Sequence, residues 1–224
     1  MLSVLVADHL PFEILGVPGW IMQSSKCTTC KDHTAAKAYE LSPVIPAYYL
    51  HSSLNQKACA SGQLCIEDIV NTMVFKTNEE KVDCHKCKRK NTRKVSVESL
   101  IARPQFLIQE VARFEVNGTT CSPRHTGRVK VPENGAIALS GDGASYFLTA
   151  VIFHTGVSPS SGHYWMATVN PHNPDEWWEI NDELVNITSL PSMRDQMETN
   201  ARLFVFKHGS QEPGTVWLLL GSSS

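Results

Sequence analysis

Three features of this sequence predict an α+β fold dominated by β-strands. The second half is a series of strand-length runs rich in apolar and β-branched residues, of which Ser145 to His154 (S-Y-F-L-T-A-V-I-F-H) is the clearest. One segment, Cys65 to Phe75, instead spaces Ile66, Ile69, Val70 and Met73 at helical intervals and predicts a short helix. Two C-x-x-C pairs, Cys27 with Cys30 and Cys84 with Cys87, bracket a polar, lysine-containing stretch that a metal ion can staple together.

Taken in order, residues 1–25 are apolar but carry Pro11, Pro18 and two glycines, so short strands or turns are expected there. Cys27 to Cys87 reads as one projecting, metal-stapled segment containing the helix. Lys94 to Ile101 and Phe106 to Phe114 read as strands separated by Pro104. Ser145 to His154 suits a strand buried on both faces. Further strands are expected at His163 to Val169, Trp177 to Ile180 and Leu203 to Phe206, with residues 210–224 as a frayed tail.

The bulk properties narrow the function. At 224 residues the chain can bury a sizeable core as one large domain or two small ones. A formal net charge of −2 gives no general attraction to nucleic acid or anionic membranes, and neither is expected as a partner. Met1 to Ala7 is apolar but lacks a basic leader, and Asp8 and His9 end the run. Val216 to Leu220 falls far below the ~20 apolar residues that span a membrane. A soluble protein of the cytoplasm and/or nucleus is expected. Seven cysteines, an odd number with four in paired spacing, fit metal-bound thiolates in a reducing compartment better than a secreted disulfide framework.

Two residues between cysteines let both thiolates reach one ion from a tight knuckle, and two knuckles complete a tetrahedral S₄ site. Zinc suits that donor set. With four protein ligands the site has no open position, so Cys27, Cys30, Cys84 and Cys87 are expected to hold one structural Zn²⁺ per chain. Cys59 and Cys65, with His51 nearby, are spaced too irregularly for a second knuckle and read as free thiols. Lys86, Lys88, Arg89, Lys90, Arg93 and Lys94 form a basic run around the second knuckle. Without interleaved aromatic residues to stack on bases, it reads as a solvated hairpin and not a nucleic-acid site.

Ser161-Gly162-His163-Tyr164-Trp165 is followed, across a turn-rich Asn170-Pro171-His172-Asn173-Pro174-Asp175, by Trp177-Trp178-Glu179-Ile180-Asn181-Asp182. If this is a β-hairpin centred on His172, His163 and Asn181 face each other with Cα atoms ~4.5–5.5 Å apart. A histidine acts as a general base when one ring nitrogen is oriented and the other is free. A one-residue slip would bring Asp182 opposite instead, so Asn181 or Asp182 is the orienting group. His125, His154, His172 and His208 read as structural.

The string Tyr146 to Gly156 followed by Gly162-His163-Tyr164 resembles the histidine box of ubiquitin-specific proteases. Lys94 to Phe114, with Pro104, Leu107 and Arg113-Phe114, resembles the strand after the second zinc knuckle of that family. Trp177, Asn181 and Asp182 match its third catalytic block. Ala201 to Phe206 resembles its final strand, with Arg202 in place of the usual aromatic residue. The resemblance covers about residues 12–208.

It implies a papain-like cysteine protease domain, with zinc-bearing fingers at about residues 25–95, a palm with the histidine box at about 96–209, and the thumb missing. By resemblance, the four knuckle cysteines are the fingers' zinc ligands and His163 is the general base. Asn181 orients the imidazole, with Asp182 as neighbour or substitute. Thr155 to Ser161 is a mobile loop over the ubiquitin tail, and ubiquitin or ubiquitinated proteins are the partners. The family's nucleophilic cysteine lies in a block well before the fingers. About 26 residues precede the first knuckle and they hold no cysteine, while Cys121 lies beyond the knuckles in an expected loop. The resemblance therefore implies a thiol-dependent deubiquitinase domain lacking its nucleophile, completed by a Cys-bearing N-terminal segment or chain. The alternatives are, in order, a ubiquitin-binding scaffold that does not cut and a zinc-ribbon nucleic-acid binder.

Overall fold

In the computed structural model, residues 17–31, 33–50, 64–75, 78–117, 119–140, 143 and 145–209 are described. His51 and Cys59, residues 1–16 and the expected tail 210–224 lie outside them.

Two antiparallel-rich sheets carry the described chain. The smaller has four strands in the order β2 (His33–Leu41), β1 (Gly19–Cys27), β5 (Thr92–Ala102), β4 (Asn78–Val82). The larger has β13 (Leu184–Thr188), β12 (Asn173–Asn181), β11 (Ser161–Asn170), β10 (Ser145–Ser158), β14 (Ala201–His208), β6 (Phe106–Ala112) and β3 (Val44–Tyr49), with β9 (Ala136–Ala138) also pairing β10. A small ribbon joins β7 (Val116–Asn117) to β8 (Thr120–Cys121). The two helices among the described residues are α1 (Ile66–Val74) and α2 (Leu190–Asn200).

The expected projecting segment is therefore not one unit. β3 lies in the larger sheet, parallel to β6, and α1 packs into the main core through Ile66, Ile69, Val70 and Val74. The physical reason is the apolar content of these two stretches. Val44-Ile45 and Tyr48 in β3, and one face of α1, carry enough surface to be buried, at ~1.5–3 kcal/mol per large side chain. A zinc-stapled hairpin has no core to offer them. The four-stranded sheet is thus β1, β2, β4 and β5, with β3 and α1 as an excursion to the larger sheet and the main core.

β6 is buried at all seven positions, so the run F-L-I-Q-E-V-A lies inside a sheet covered on both faces. One face joins the main core with Tyr146, Leu148, Val151, Phe153, Phe204 and Phe206, together with Met193 and Met197 of α2. The other forms a second cluster of Phe106, Ile108, Ala150, Leu203 and Val205.

The polar members of β6 are handled individually. Gln109 Nε2 donates to the carbonyls of Pro46 (3.0 Å) and Glu110 (2.8 Å). Glu110 Oε1 accepts from Arg202 Nε and Nη2 at 3.3 and 3.1 Å.

α1 is set by Glu67 and Asp68 in its first turn, which complement the helix dipole. Its polar face clips the chain beyond it: Asn71 Nδ2 donates to Ala138 O, and Glu67 Oε1 accepts from Ala138 N. α2 was not evident from periodicity because it buries only Met193 and Met197. Its start is nonetheless written locally. Ser189 caps it by accepting from Ser192 N, and Pro191 sits in the first turn, where a missing N–H costs nothing.

Candidate active site and metal centre

β10 and β11 form a hairpin in which Thr155 lies opposite His163, with a bulge before Ser158 pairs with Ser161. The crossing is made by two glycines. A Cβ on Gly156 would lie 2.1 Å from Ser161 O, and one on Gly162 would lie 2.0 Å from Thr155 O. Gly162 also has φ +149°, which L-residues rarely adopt. The expected mobile loop over residues 155–161 is instead paired up to Ser158 and resumes at Ser161. Its tip is tied back by Tyr164, whose hydroxyl donates to Pro159 O at 3.2 Å. Strand pairing wins here because the glycines allow the backbones to close together.

His163 is exposed, and its Nε2 lies 2.5 Å from Asn181 Oδ1. The register that brings them together differs from a hairpin centred on His172. Met166 pairs with Ile180 and Val169 with Trp177, and a shift then pairs Asn170 with Asn173. Continued outward, that register sets Asn181 opposite Trp165, so His163 reaches Asn181 diagonally on the same face. The shift arises in the turn, where Asn170 Oδ1 accepts from His172 N and Asn173 Oδ1 from Asp175 N, tightening the connection asymmetrically. Asp182 occupies the two-residue turn between Asn181 and Leu184 at φ +52°, exposed, in a conformation that Asp tolerates better than most.

With Asn181 Oδ1 as acceptor, Nε2 carries the imidazole proton and Nδ1 presents its lone pair. That is the oriented, half-free imidazole that a Cys-His-Asn site needs. The ring also stacks on Trp165, with centroids 6.0 Å apart and planes 15° from parallel.

On the opposite face of the same strands lies a group that sequence reasoning missed. His154 is 2% exposed, its ring 4.3 Å from that of Tyr164 and 5.9 Å from that of Phe114. Burial, then the charges of Arg202 and Arg124, pushes its imidazole below the ordinary range. Arg202 bridges Glu110 and Tyr164, donating to the tyrosine hydroxyl at 3.0 Å. Arg124 Nη2 donates to His154 O and Asn200 Oδ1. Arg113, 3% exposed, donates to the carbonyls of Ala201, His125, Gly127 and Glu198. The signal was available as charged residues inside apolar runs, at Glu110 and Arg202, whose pairing needed the sheet order to be known.

At the tip of the four-stranded sheet the ligand atoms of Cys27, Cys30, Cys84 and Cys87 all lie within 4.8 Å of one another. Cys30 Sγ and Cys84 Sγ are 3.7 Å apart. The edge of a tetrahedron with Zn–S bonds of about 2.3 Å is about 3.8 Å, so the cluster has the size of a ZnS₄ centre. Pairing of β1 with β5 brings the knuckles together, with Cys27 opposite Lys94. Lys31 and Lys88, each one residue past a knuckle, adopt φ +58° and +57°, and their N–H groups return to the carbonyls of Cys27 and Cys84. Within the knuckles, backbone N–H groups point at sulfur. Those of Cys30 and Thr29 lower the Cys27 thiol to about 6, and those of Cys87 and Lys86 lower that of Cys84. Such donors favour the thiolates a metal requires.

The remaining described cysteines lie elsewhere. Cys65 precedes α1, where burial raises its thiol, and exposed Cys121 on β8 donates to Ser122 O. His125 Nδ1 accepts from Gly127 N, and His208 packs edge-on against Tyr146.

Residues 47–206 match the family described as ubiquitin carboxyl-terminal hydrolase. The chain belongs to that family. Among curated relatives, ubiquitin carboxyl-terminal hydrolase 10 of Saccharomyces cerevisiae is 29% identical over 134 residues, covering 55% of this chain and 16% of the yeast protein. Ubiquitin carboxyl-terminal hydrolase 35 of Homo sapiens is 28% identical over 158 residues, covering 62% of this chain and 15% of the human protein. The chain thus spans about a sixth of the length of these relatives. Among solved structures, the SAGA DUB module of Ubp8, Sgf11, Sus1 and Sgf73 bound to monoubiquitin superposes with a TM-score of 0.63 at 15% identity. That match covers 88% of this chain and 41% of the other. It supports the fold of a ubiquitin-specific protease domain.

Proposed function

We propose that this chain supplies the base-bearing half of a thiol-dependent deubiquitinase. His163 is the general base, Asn181 its orienting partner, and Cys27, Cys30, Cys84 and Cys87 the ligands of one structural zinc. The observation that carries the reading is the hydrogen bond from His163 Nε2 to Asn181 Oδ1 within a chain of this family. When bound, zinc supplies a fixed cross-link between β1 and the turn before β5, and the chemistry proceeds without it.

In the proposed reaction, Nδ1 of His163 takes the proton from a cysteine thiol. The thiolate attacks the carbonyl carbon of the last glycine of ubiquitin in an isopeptide bond. The C–N bond breaks as the imidazolium returns its proton to the departing lysine amine. Water, deprotonated by the same imidazole, then cleaves the thioester to leave a free carboxylate. Four of the described cysteines form the metal cluster, and Cys65 and Cys121 belong to other segments. As the resemblance implies, the thiol is assigned to a Cys-bearing N-terminal segment or partner chain. Ubiquitin is the partner held between fingers and palm.

The test is hydrolysis of a fluorogenic ubiquitin C-terminal amide by this chain mixed with a Cys-bearing N-terminal half. Activity that requires both pieces and is lost in His163→Ala is expected. Labelled ubiquitin bound by the chain with no hydrolysis in any such mixture would favour the scaffold reading. Tight binding of nucleic acid with none of ubiquitin would reject both.

A further inference from the structure

We propose that Trp165 is a positioning residue for His163, a flat platform that fixes the plane of the imidazole. The proposal rests on His163 being the general base. His163 and Trp165 are two residues apart on β11 and so share a face. Their rings lie 15° from parallel at a centroid distance of 6.0 Å. Trp165 is in turn stacked on Phe153, at 5.0 Å and 12°. Phe153 is fully buried in the main core. The imidazole is therefore the exposed end of a three-ring stack whose other end cannot move.

A single hydrogen bond makes this stack matter. The bond to Asn181 fixes one ring nitrogen but leaves the ring free to swing about the N···O axis. A second contact against the ring face removes that freedom, and the direction of the Nδ1 lone pair is then set. Among the described residues Trp165 supplies that contact, because His163 is exposed and its backbone neighbour across the hairpin, Thr155, carries no ring.

The indole N–H of Trp165 is buried without a hydrogen-bond partner among the described residues. A donor left unpaired is unfavourable, so the position draws its benefit from the ring face and not from the N–H. Phenylalanine should therefore substitute, whereas an aliphatic side chain should not.

The test is solution NMR of the chain with ¹³C,¹⁵N-labelled histidine, which needs neither the missing thiol nor activity. In the wild type, the carbon-bound ring protons of His163 should show an upfield ring-current displacement and its two nitrogens the pattern of one tautomer. Trp165→Phe should retain both, with a smaller displacement. Trp165→Leu should lose the displacement and move the nitrogens toward mixed tautomers, while Asn181→Ala should disturb the tautomer and keep much of the displacement. A folded Trp165→Leu with His163 signals unchanged from wild type would overturn the proposal. If that variant does not fold, Trp165→Phe decides, because loss of both signatures in a folded protein would equally overturn it. Failure of the base assignment is separable. It would appear as reconstituted hydrolysis surviving His163→Ala while the spectra behave as expected.

Discussion

At the scale of single residues, the site separates two neighbours that the sequence left equivalent. Asn181 holds His163, and Asp182 turns the chain. In the reconstituted enzyme, Asn181→Ala should lower kcat/KM on the order of 10²-fold, the lower range for a misplaced acid–base group. Asp182→Ala should change it little, and the reverse ranking in steady-state kinetics would reassign the orienting role. His154 gives a second residue-level expectation, in stability.

Burial beside Arg202 and Arg124 lowers the pKa of His154 in the fold, so the unfolded chain binds its proton first as pH falls. The neutral form's contribution is complete above the ordinary imidazole value of about 6.5 and is lost progressively below it. Thermal melts at about pH 7.5 and about pH 5.5 should show a larger loss of Tm in the wild type than in His154→Phe. An equal loss in both would remove His154 from the account. Asn181 was legible from hairpin spacing even though the assumed register was two residues out. The diagonal neighbour on the same face was close enough, whereas the network around His154 depended on strands far apart in sequence.

At the scale of elements, the clearest sequence signal was the knuckle pair, because C-x-x-C encodes its own geometry within four residues. What that spacing could not show is how the chain between the knuckles is divided. β2 and β4 complete the four-stranded sheet, while β3 leaves for the larger sheet and α1 for the main core. The split follows apolar content, and it leaves a four-stranded sheet whose tip carries the four-cysteine cluster.

Metal analysis should find one zinc per chain. Because structural zinc contributes ~10–16 kcal/mol of apparent binding energy, Cys84→Ser should release it and abolish amide protection in β1 and β5 near the tip. The eight-stranded sheet, with its own core, should stay protected. Hydrogen exchange unchanged in the fingers after zinc loss would contradict the structural role. α2 is the opposite case, an element with a clear start in Ser189 and Pro191 but too few buried positions to register as periodic.

At the scale of the whole molecule, the larger sheet is buried on both faces along β6, and the order of its strands is what assembles the site. β10, β11 and β12 are consecutive hairpins, so His163 and Asn181 are brought together by local chain reversals. Their proximity was readable from the turn-rich spacing between them. β14 and β6 lie on the other side of β10, and Arg202 meets Glu110 only through that non-local order. The fold class was legible because strand-length apolar runs dominate the second half. The strand order was not legible, since parallel pairing such as that of β3 with β6 leaves no local trace.

The central claim is that this half carries the base and not the nucleophile. Its most direct test is to incubate the purified chain with an electrophilic probe built on the ubiquitin C-terminus and to weigh the product by mass spectrometry. A base without a thiol beside it places no attacking atom, so no covalent adduct is predicted. An adduct that forms with the wild-type chain, and is lost in both Cys121→Ala and His163→Ala, would contradict the account by showing a rearranged site with its own nucleophile.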